Sequence, residues 1–504
     1  MKDLISHFIF RVDANTEIGY GHLMRCIAMA QELRLLKIEV SFLVSKPSEN
    51  IKKRLKDEGL ACIPVKAVSG SIEDAGEIVK YANSVKASWI GVDGYQFNEK
   101  YQKFLKNKKF SLFFIDDYGH CGHYFADIVL NQNISAVENY YKSRADYTEL
   151  LLGTDYVLLR REFRNYVNFK RKISGRAKKI LITIGGSDPH NITLKALEGV
   201  RKTGLKNLEV KIVAGGANPN LEGIEDFAKK YRSVLKAEVL KDIKNISELM
   251  AWADIAVSGG GSTCWELAFL GLPMLVTAWA DNQKPIAAAL GKKRIAVNLG
   301  WHEKITAEDI AKELKKLILS SELRKKMSEN GQKTIDGMSA RRVLDSILIK
   351  SMLIRNVNRN DCKLLWKWVN DPAVRKASYK SDFISLKEHT EWFRKHLKDH
   401  DSYHFIVSDI NNTPLGQIRF DLKNNEAEVD ISVAPEKRGM GYASLIIRKG
   451  LMELRGKSVN LKTVVAFIKI ENTNSLRSFE RAAFIKTGER IKSGFLSAVM
   501  KRKI

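Results

Sequence analysis

The chain lacks several features that would place it in a special class of protein. Its five cysteines lie at scattered positions (26, 62, 121, 264 and 362), and this odd, dispersed set does not form the disulfide framework of a secreted domain. No apolar run approaches the roughly 18 residues that cross a bilayer, and no internal repeat or low-complexity tract is present. The N-terminus enters a strand at once, without the basic, apolar and small-residue succession of a signal peptide. We therefore expect a cytoplasmic protein without a membrane span.

A metal centre is also not expected. The stretch "HCGH", His120 to His123, combines one cysteine and two histidines in a short loop, which is not a recognised zinc spacing. No second cluster of such residues completes a tetrahedral set. The sequence therefore predicts no bound metal.

Acidic residues are outnumbered, with 58 Asp and Glu against 84 Lys and Arg and a formal net charge of +26. A basic protein can bind nucleic acid or an anionic membrane. Here the excess is spread along helical stretches such as "KKRLKDEG", which is typical of solvated faces, and no zinc finger, RRM signature or basic tail accompanies it. We expect no nucleic-acid partner; a nucleotide diphosphate is a smaller anion that the same field attracts.

The length of 504 residues predicts two to four domains. Apolar runs alternate with helix-period stretches almost to residue 320. They include "HFIFRVD", "VSFLVS", "WIGVDGY", "LFFIDDY", "KILITIGG", "EVKIVAGG", "ADIAVSGGG" and "PMLVTAW". Continuous apolar strands interleaved with helices are typical of parallel sheets covered on both faces.

Two changes in pattern divide the chain. A basic stretch from Arg160 to Lys179 interrupts the alternation, which restarts with a fresh strand and ends in charged helices over 307–350. From Met352 onward, strands joined by short polar turns and a capped helix, "NRNDCKLLWKWVNDPAVR", indicate a mixed sheet. We predict an α/β pair of Rossmann-type domains followed by an α+β domain, with bounds 1–165, 175–350 and 352–504.

Glycine-rich turns follow three of the predicted strands. The turn residues that we expect to bind a ligand are Gly19, Gly21, Gly185, Gly186, Ser187, Gly260, Gly261, Ser262 and Thr263. The first turn is not a dinucleotide fingerprint, because Met24 replaces the third glycine of G-x-G-x-x-G. Helix N-termini bind phosphate, and ligands of open parallel sheets lie beyond the carboxyl ends of the strands. The turns predict a cleft between two sheets, although glycines that only form turns are the alternative.

Polar residues close to these turns suit a nucleotide sugar. Glu266 lies one helical turn beyond "GGGST", where a carboxylate can accept hydrogen bonds from both ribose hydroxyls. Asn282 and Gln283, in "DNQ" after the next strand, supply polar groups for a sugar or a phosphate. Each residue alone is more often a surface or capping residue, but together they predict a nucleotide-sugar site.

The motifs over about residues 1–350 resemble a known family. They are "FRVDANTEIGYGHLMRC", "VDGY", "IDDYG", "YVLLRREF", "IGGSDPHN" and "VSGGGSTCWELAFLGLPML…DNQ", in this order. The stretch is similar to the UDP-sugar hydrolases of pseudaminic acid biosynthesis, which have a GT-B fold. The resemblance implies removal of UDP from UDP-2,4-diacetamido-2,4,6-trideoxy-β-L-altropyranose by attack of water at the anomeric carbon.

The same resemblance implies a catalytic role for His22, which would position and deprotonate the attacking water. Its place at a helix N-terminus favours the neutral imidazole, whereas a nearby diphosphate opposes it. Asp13 could fix the tautomer through the second ring nitrogen, and Arg11 and Arg25 are candidates for the diphosphate. Candidates for binding the sugar are Asp93, Asp116 and Asp117. A helix cap or packed ring at His22, a plain turn residue at Asp13 and a structural Arg25 stay open as alternatives.

The C-terminal part resembles the GNAT N-acetyltransferases. In "VDISVAPEKRGMGYASLIIRKGL", Arg438-x-x-Gly441-x-Ala443 matches the family element at which backbone N–H groups receive the pyrophosphate of acetyl-CoA. "IKIENTNSLRSFERAAF" resembles the second motif of the family. The implied acetyl-CoA-binding residues are Val433, Arg438, Gly439, Gly441, Tyr442, Ala443, Asn472 and Ser475.

Two departures from the GNAT pattern concern the general acid. Many family members place a tyrosine where this chain has Phe479, and the usual glycine before the final Phe is Ala483, so an ordinary tyrosine acid is not expected. Candidate bases that would deprotonate the amine are Glu428, Asp430 and Glu471, all close to predicted strand ends.

The two resemblances together predict a bifunctional enzyme. In the pathway of the first, a GNAT enzyme acetylates the 4-amino group of the UDP-4-amino-4,6-dideoxy sugar just before hydrolysis. The expected partners are the UDP-sugar and acetyl-CoA, and nothing in the sequence fixes an oligomeric state. Three alternatives stay open: a GT-B glycosyltransferase whose GNAT domain acts on another amine, a basic nucleic-acid-associated protein, and a non-catalytic nucleotide-sugar sensor.

Overall fold

The computed structural model describes residues 1–15, 20–185, 188–215, 218–241, 243, 245–457 and 461–504. The chain forms two compact units: one is Ser6–Leu344, and the other joins Met1–Ile5 to Asp345–Ile504. The first unit contains two parallel sheets and the second a mixed sheet. In the described ranges, no helix has the length and apolarity needed to cross a membrane. The three-domain division, which places residues 1–5 with the first sheet, stays a prediction.

The first sheet has seven strands in the order β3-β2-β1-β4-β5-β6-β7. They are β1 His7–Val12, β2 Glu39–Ser45, β3 Ala61–Val65, β4 Trp89–Asp93, β5 Ser111–Ile115, β6 Ile128–Asn131 and β7 Glu149–Leu152. All neighbours are parallel, so their carboxyl ends share one edge. The helices are α1 Gly21–Leu35, α2 Glu49–Asp57, α3 Ile72–Ser84 and α4 Glu99–Asn107. The side chains of Ser48, Ser71 and Asn98 cap α2, α3 and α4, as expected of residues that accept from first-turn amides.

The second sheet has six parallel strands in the order β10-β9-β8-β11-β12-β13. They are β8 Lys179–Thr183, β9 Glu209–Ala214, β10 Lys236–Lys241, β11 Ile255–Gly259, β12 Met274–Ala278 and β13 Ala296–Trp301. The helices are α5 Ile192–Lys202, α6 Leu221–Lys230, α7 Ile246–Trp252, α8 Thr263–Phe269, α9 Lys284–Lys292, α10 Ala307–Leu319, α11 Ser321–Thr334 and α12 Ser339–Lys350. Separate apolar clusters pack on the two faces of this sheet, which explains why its central strands are apolar throughout.

The third sheet has seven strands in the order β14-β15-β16-β17-β18-β20-β19. They are β14 Leu353–Asn356, β15 Ser402–Ser408, β16 Pro414–Lys423, β17 Glu426–Val433, β18 Thr463–Lys469, β19 Ile485–Lys492 and β20 Phe495–Lys503. The helices are α13 Cys362–Val369, α14 Pro372–Ala377, α15 Leu386–His396, α16 Tyr442–Arg455 and α17 Thr473–Arg481. Only β17 and β18 are parallel, and their ladder covers just the first residues of each strand.

The fold class predicted from the sequence is confirmed. All eight apolar runs quoted above are strands, and they lie in the two parallel sheets. One detail is wrong: "NRNDCKLLWKWVNDPAVR" forms two helices, α13 and α14, instead of one. The side chain of Asp371 accepts from the amides of Ala373 and Val374 and starts the second helix, with Pro372 at its first position, where proline is favoured.

Candidate functional site

His22 lies in the first turn of α1, just beyond the carboxyl end of β1. The neighbouring strand β4 ends at Asp93, which is level with Val12 of β1. The Nδ1 atom of His22 is 2.6 Å from Oδ1 of Asp93. Because a carboxylate only accepts hydrogen bonds, this shorter contact places the proton on Nδ1, and a neutral ring then keeps its Nε2 lone pair. Nη2 of Arg25, which donates to the same Asp93 oxygen at 2.6 Å, lies 3.1 Å from Nδ1. The side chain of His22 is 11% exposed, so its ring is not completely enclosed by the protein.

Arg25 follows His22 on α1 by three residues and holds two carboxylates. Its Nε lies 2.6 Å from Oδ2 of Asp93, and its Nη1 lies 2.8 Å from Oδ1 of Asp117, which follows β5. Burial by itself would raise the pKa of Asp93, but the charge of Arg25 and the hydrogen bonds from Arg25 and His22 hold it below its ordinary value. Burial likewise opposes ionisation of Asp117, and Arg25 again lowers its pKa. Both carboxyl groups are therefore ionised.

Tyr95 links this cluster to the second sheet. Its hydroxyl donates to Oδ2 of Asp117 at 2.7 Å and accepts from Nδ2 of Asn282 at 2.9 Å. Its ring stands edge-on to His22, with 5.1 Å between ring centroids. We call His22, Arg25, Asp93, Tyr95 and Asp117 the His22 network. Asn282 follows β12, so residues beyond the ends of both parallel sheets meet at this network.

The glycine turns of the two sheets also approach each other. A Cβ atom on Gly21 would lie 3.8 Å from Oγ of Ser262, which brings the start of α1 close to the start of α8. The first amides of α1 have no intrahelical acceptor and can bind an anion. Gly185 has φ +134°, a conformation that favours glycine. Three predicted ligand residues, Gly19, Gly186 and Ser187, lie outside the described residues; Gly261, Ser262 and Thr263 stay predictions.

The prediction that Asp13 fixes the tautomer of His22 is wrong in this structure. Asp13 accepts from the amide of Ser45, at the end of β2, at 2.8 Å and from Nε2 of Gln96, three residues after β4, at 3.0 Å, and it makes no hydrogen bond to His22 among the described contacts. Asp93 contacts His22 instead, because β4 is the neighbour of β1 on the other side. Strand order therefore decides which carboxylate supports the histidine.

Arg11, predicted as a candidate ligand of the diphosphate, is bonded to other residues of the protein. Its side chain is fully buried and donates to Asp13 at 2.5 Å, to Asp74 at 3.0 Å and to Ser69 at 2.9 Å. Each guanidinium nitrogen has a partner inside the protein. Arg11 is therefore a structural group beneath the site, and a diphosphate ligand role is not supported.

Glu266 is paired with Arg160 through two parallel hydrogen bonds, each of 2.8 Å. Arg160 occupies both carboxylate oxygens, so a contact of Glu266 with ribose stays a prediction. The other predicted residue, Gln283, accepts through its Oε1 from the amide of Trp279 at 3.2 Å. A Cβ on Gly260 would come within 3.0 Å of the Gln283 side chain, so glycine at this position leaves room for the glutamine.

The "HCGH" loop is organised by Asp116 and does not gather metal ligands. Oδ1 of Asp116 accepts from the amides of residues 117–119, so this carboxylate stabilises the turn instead of facing a sugar. His120 contacts Asp116 and Phe97, whereas His123 contacts Ser143. The described part of the chain contains no group of three or more His, Cys, Asp or Glu that could hold a metal ion.

His120 makes the stability of this loop sensitive to pH. Nδ1 lies 3.2 Å from Oδ1 of Asp116 and Nε2 lies 3.1 Å from the carbonyl oxygen of Phe97, so both nitrogens face acceptors. Burial opposes protonation, but the bond to Asp116 raises the pKa of His120 to about 10. The unfolded histidine has a pKa of about 6.5, so the stabilisation is complete below pH ~6.5 and is lost as pH rises toward 10.

We expect the urea midpoint of the wild-type chain to fall between pH 6.5 and 8.5 more steeply than that of His120→Gln. The neutral glutamine cannot lose a proton in this range, which removes the contribution of position 120 to the slope. His123→Gln, at a half-buried histidine three residues away that contacts Ser143, should keep the wild-type slope. Equal slopes in wild type and His120→Gln would contradict the assignment.

The second candidate site lies between β17 and α16 of the other unit. Gly439 and Gly441 have φ +74° and +82°, and Gly441 is the residue before the first helical residue of α16. Nη1 of Arg438 is 2.7 Å from Oδ1 of Asp371. Nothing lies within 4 Å of a Cβ built on Gly439. A Cβ on Gly441 would lie 3.2 Å from Cε of Met1, so the open space is at Gly439. The first amides of the 14-residue helix that follows can bind a pyrophosphate.

The strands beside this turn separate where an acyl-CoA would have to enter. β17 pairs with β18 only from Glu426 to Glu428, while β17 stays paired with β16 as far as Val433. The remaining edges of β17 and β18 therefore present backbone groups that can bond to an extended ligand. Together with the glycine turn, this gap fits the acetyl-CoA expected from the sequence. Acetyl-CoA would supply the acetyl group as a thioester.

The other predicted acetyl-CoA residues lie around this opening. Val433 ends β17, and Tyr442 and Ala443 begin α16; the hydroxyl of Tyr442 is buried without a partner in the described structure. The side chain of Asn472 accepts from the amide of Ser475 at 3.2 Å and caps α17, so these two residues bond to each other here. Phe479 is buried.

The place of Tyr95 in the His22 network and the hydrogen bond between Asp93 and His22 were not predicted from the sequence. The sequence motif "VDGY" contains both residues, and a carboxylate at a strand end was a visible signal. The sequence does not show that β4 lies next to β1, so it could not choose between Asp13 and Asp93.

Two family models match the chain. The glycosyltransferase family 28 C-terminal domain matches residues 180–341, and the acetyltransferase (GNAT) domain matches residues 351–485. The GNAT match indicates that the C-terminal part uses an acetyl-CoA co-substrate, in agreement with the opening beside α16.

Three relatives cover different parts of the chain. An uncharacterized protein of Methanocaldococcus jannaschii is 26% identical over 498 residues, which are 94% of this chain and 96% of the relative. The UDP-2,4-diacetamido-2,4,6-trideoxy-beta-L-altropyranose hydrolase of Campylobacter jejuni is 27% identical over 292 residues, 56% of this chain and 96% of the relative. The spermidine N(1)-acetyltransferase of Vibrio cholerae is 23% identical over 149 residues, 29% of this chain and 86% of the relative. The predicted resemblances are confirmed: the chain is an enzyme that joins a hydrolase-like part to an N-acetyltransferase domain.

Proposed function

We propose that the Ser6–Leu344 unit hydrolyses a UDP-sugar, with UDP-2,4-diacetamido-2,4,6-trideoxy-β-L-altropyranose as the substrate. The observation that carries this proposal is the 2.6 Å contact between Nδ1 of His22 and Asp93, at the carboxyl edge of a parallel sheet where ligands bind. The similarity to a hydrolase of this substrate over 292 residues supports the choice of sugar nucleotide.

In this mechanism His22 is the general base. Asp93 keeps the proton on Nδ1 and stabilises the imidazolium that forms, in the manner of other His–Asp pairs. Nε2 takes a proton from water as the water oxygen attacks the anomeric carbon. The bond between that carbon and the diphosphate oxygen breaks, and UDP leaves with the bonding electron pair. The first amides of α1 offer a site for the diphosphate charge.

The acetyltransferase unit would act on the 4-amino group of the UDP-4-amino-4,6-dideoxy sugar. Gly439, Gly441 and the start of α16 would receive the pyrophosphate of acetyl-CoA, and the opening between β17 and β18 would receive its thioester arm. The amine nitrogen attacks the thioester carbonyl, an amide bond forms and the thiol of CoA is released. The free sugar, UDP and CoA are then the three products of the two reactions.

A product assay tests the proposal directly. Purified chain is incubated with acetyl-CoA and the UDP-4-amino-4,6-dideoxy sugar, and CoA, UDP and free sugar are followed over time without any alcohol acceptor. We expect CoA release first, followed by equal amounts of UDP and free diacetamido sugar. Release of CoA without UDP would contradict the hydrolase assignment, and binding of the UDP-sugar without any turnover would indicate a sensor.

A glycosyltransferase is the second candidate, because residues 180–341 match a glycosyltransferase family 28 domain. That function would pass the sugar to an alcohol, and UDP release would then require an added acceptor. Formation of free sugar in the acceptor-free assay separates the two functions. The Nε2 of His22 would act as base in either case, toward water or toward an alcohol.

A further inference from the structure

A row of polar side chains crosses one face of the third sheet. His404 of β15, Arg419 of β16 and Asp430 of β17 are paired residues on neighbouring antiparallel strands, so their side chains point to the same side. Helix α16 covers the opposite face, where a Cβ on Gly450 would lie 2.8 Å from Ile418. We call the side with His404 and Asp430 the acceptor face.

Three residues on the acceptor face form a hydrogen-bonded chain. Nε2 of His404 is 2.6 Å from Oε1 of Gln417, and Nε2 of Gln417 donates to Oδ2 of Asp430 at 3.3 Å. The amide oxygen can only accept, so Nε2 of His404 carries its proton. This bond fixes the orientation of the Gln417 amide and aims its N–H at the carboxylate.

His404 and Gln417 each have a fixed donor or acceptor role in these hydrogen bonds. His404 is 7% exposed, and burial together with the charge of Arg419 lowers its pKa to about 3, so the ring is neutral at physiological pH. Its Nδ1 has no partner in the described structure. Burying a histidine with one unsatisfied nitrogen costs stability. The other nitrogen of His404 orients Gln417, which in turn bonds to the carboxylate of Asp430.

Asp430 itself is exposed. Among the described residues, none of the ion pairs within 4 Å includes it. The guanidinium of Arg375 influences Asp430 electrostatically, but its Nη atoms donate to the carbonyls of Lys380 and Asp382 and to Ser378. Asp430 thus accepts a hydrogen bond from Gln417 and is exposed to solvent.

The position of Asp430 coincides with the opening of the sheet. The β17–β18 ladder ends at Glu428, two residues before Asp430 on the same face of β17. An amine that attacks a thioester seated in that opening from the acceptor face would approach beside this carboxylate. Carboxylates bind ammonium groups through short, charge-assisted hydrogen bonds.

We infer that Asp430 binds the ammonium group of the amine to be acetylated, and that Gln417 and His404 are positioning residues that fix its carboxylate. The inference rests on the proposed acetyltransferase function. It names the subsite for the acceptor nitrogen, and it predicts that this subsite contributes to amine binding and not to acetyl-CoA binding.

The test measures CoA release at varied amine and varied acetyl-CoA, with the UDP-4-amino-4,6-dideoxy sugar and, separately, spermidine as amines. We expect Asp430→Asn to raise the KM for the amine at least 10-fold, about 1.4 kcal/mol, with the KM for acetyl-CoA unchanged. Gln417→Leu should raise the amine KM by a smaller factor, since it removes the hydrogen bond to Asp430 but keeps the carboxylate. His404→Leu should raise the same KM, and His404→Gln, whose Nε2 amide can still donate to Gln417, should restore it.

Asp421→Asn is the matched control. Asp421 lies on the acceptor face of β16 and is held by Ser402 at 2.7 Å and Arg419 at 3.0 Å, so its loss should leave the amine KM unchanged. An unchanged amine KM in Asp430→Asn, or equal effects of His404→Leu and His404→Gln, would overturn the inference.

The two amines separate failure of the inference from failure of the proposed function. Turnover of spermidine but not of the UDP-linked amine would reject the proposed acceptor, and Asp430→Asn then tests the inference on spermidine. If neither amine is acetylated, calorimetric binding of each to wild type and Asp430→Asn replaces KM. Weaker binding to the variant supports the subsite, whereas equal binding, or no binding to wild type, overturns it.

Discussion

Replacement of His22 by alanine is expected to lower the rate of UDP release by about 10²–10⁴-fold, the usual contribution of a general base. The reason is the loss of Nε2, which the bond of Nδ1 to Asp93 leaves unprotonated. The measurement is the kcat for UDP release from the diacetamido UDP-sugar. The KM should change little, because the imidazole interacts with water and not with the nucleotide.

The two units provide the control for His22→Ala. This variant should acetylate at the wild-type rate. Gly441→Val should do the reverse, because φ +82° at Gly441 strains any β-branched residue and displaces the amides at the start of α16. Near-normal UDP release by His22→Ala, or loss of both activities in either variant, would contradict the assignment of one reaction to each unit.

The second large effect is expected for Asp93→Asn, with a loss of about 10²-fold or more in the same kcat. Asparagine can donate its amide N–H to Nδ1, and the ring proton then moves to Nε2, where the base is needed. The ring would remain in place while its reactive nitrogen is blocked. Crystallographic or NMR observation of the histidine tautomer would support this account.

Asp117→Asn is the matched control for Asp93→Asn. Both carboxylates pair with Arg25, at 2.6 Å and 2.8 Å, so both variants weaken a buried ion pair and lower stability. Of these two carboxylates, only Asp93 contacts Nδ1 of His22. We therefore expect similar losses of thermal stability but a much smaller loss of kcat in Asp117→Asn. Equal losses of kcat would show that Asp93 acts through Arg25 alone.

The strands of the two parallel sheets could be predicted because each buried strand is a continuous apolar run. The order of those strands could not, because it depends on which crossover packs beside β1 and not on local composition. This limit explains the error at Asp13: the chain places it at the end of β1 near His22, but the fold turns it toward Ser45 of β2.

The predicted binding residues show a related limit. Arg11 and Glu266 are residue types that suit a diphosphate and a ribose, yet each is satisfied by an internal partner, Asp74 or Arg160. Sequence shows the chemistry that a side chain offers but not the partner that already uses it. The division of one predicted helix into α13 and α14 has a local cause, since Asp371 caps a new helix immediately after α13.

The acetyltransferase unit is discontinuous in sequence, since Met1–Ile5 belongs to it together with Asp345–Ile504. Lys437, in the turn before α16, is 2.6 Å from the carboxylate of Asp3. In topological terms the hydrolase-like unit is an insertion within the other unit. A fragment that starts at residue 352 would lack this carboxylate beside the glycine turn, so transplanting the unit to another enzyme requires both of its segments.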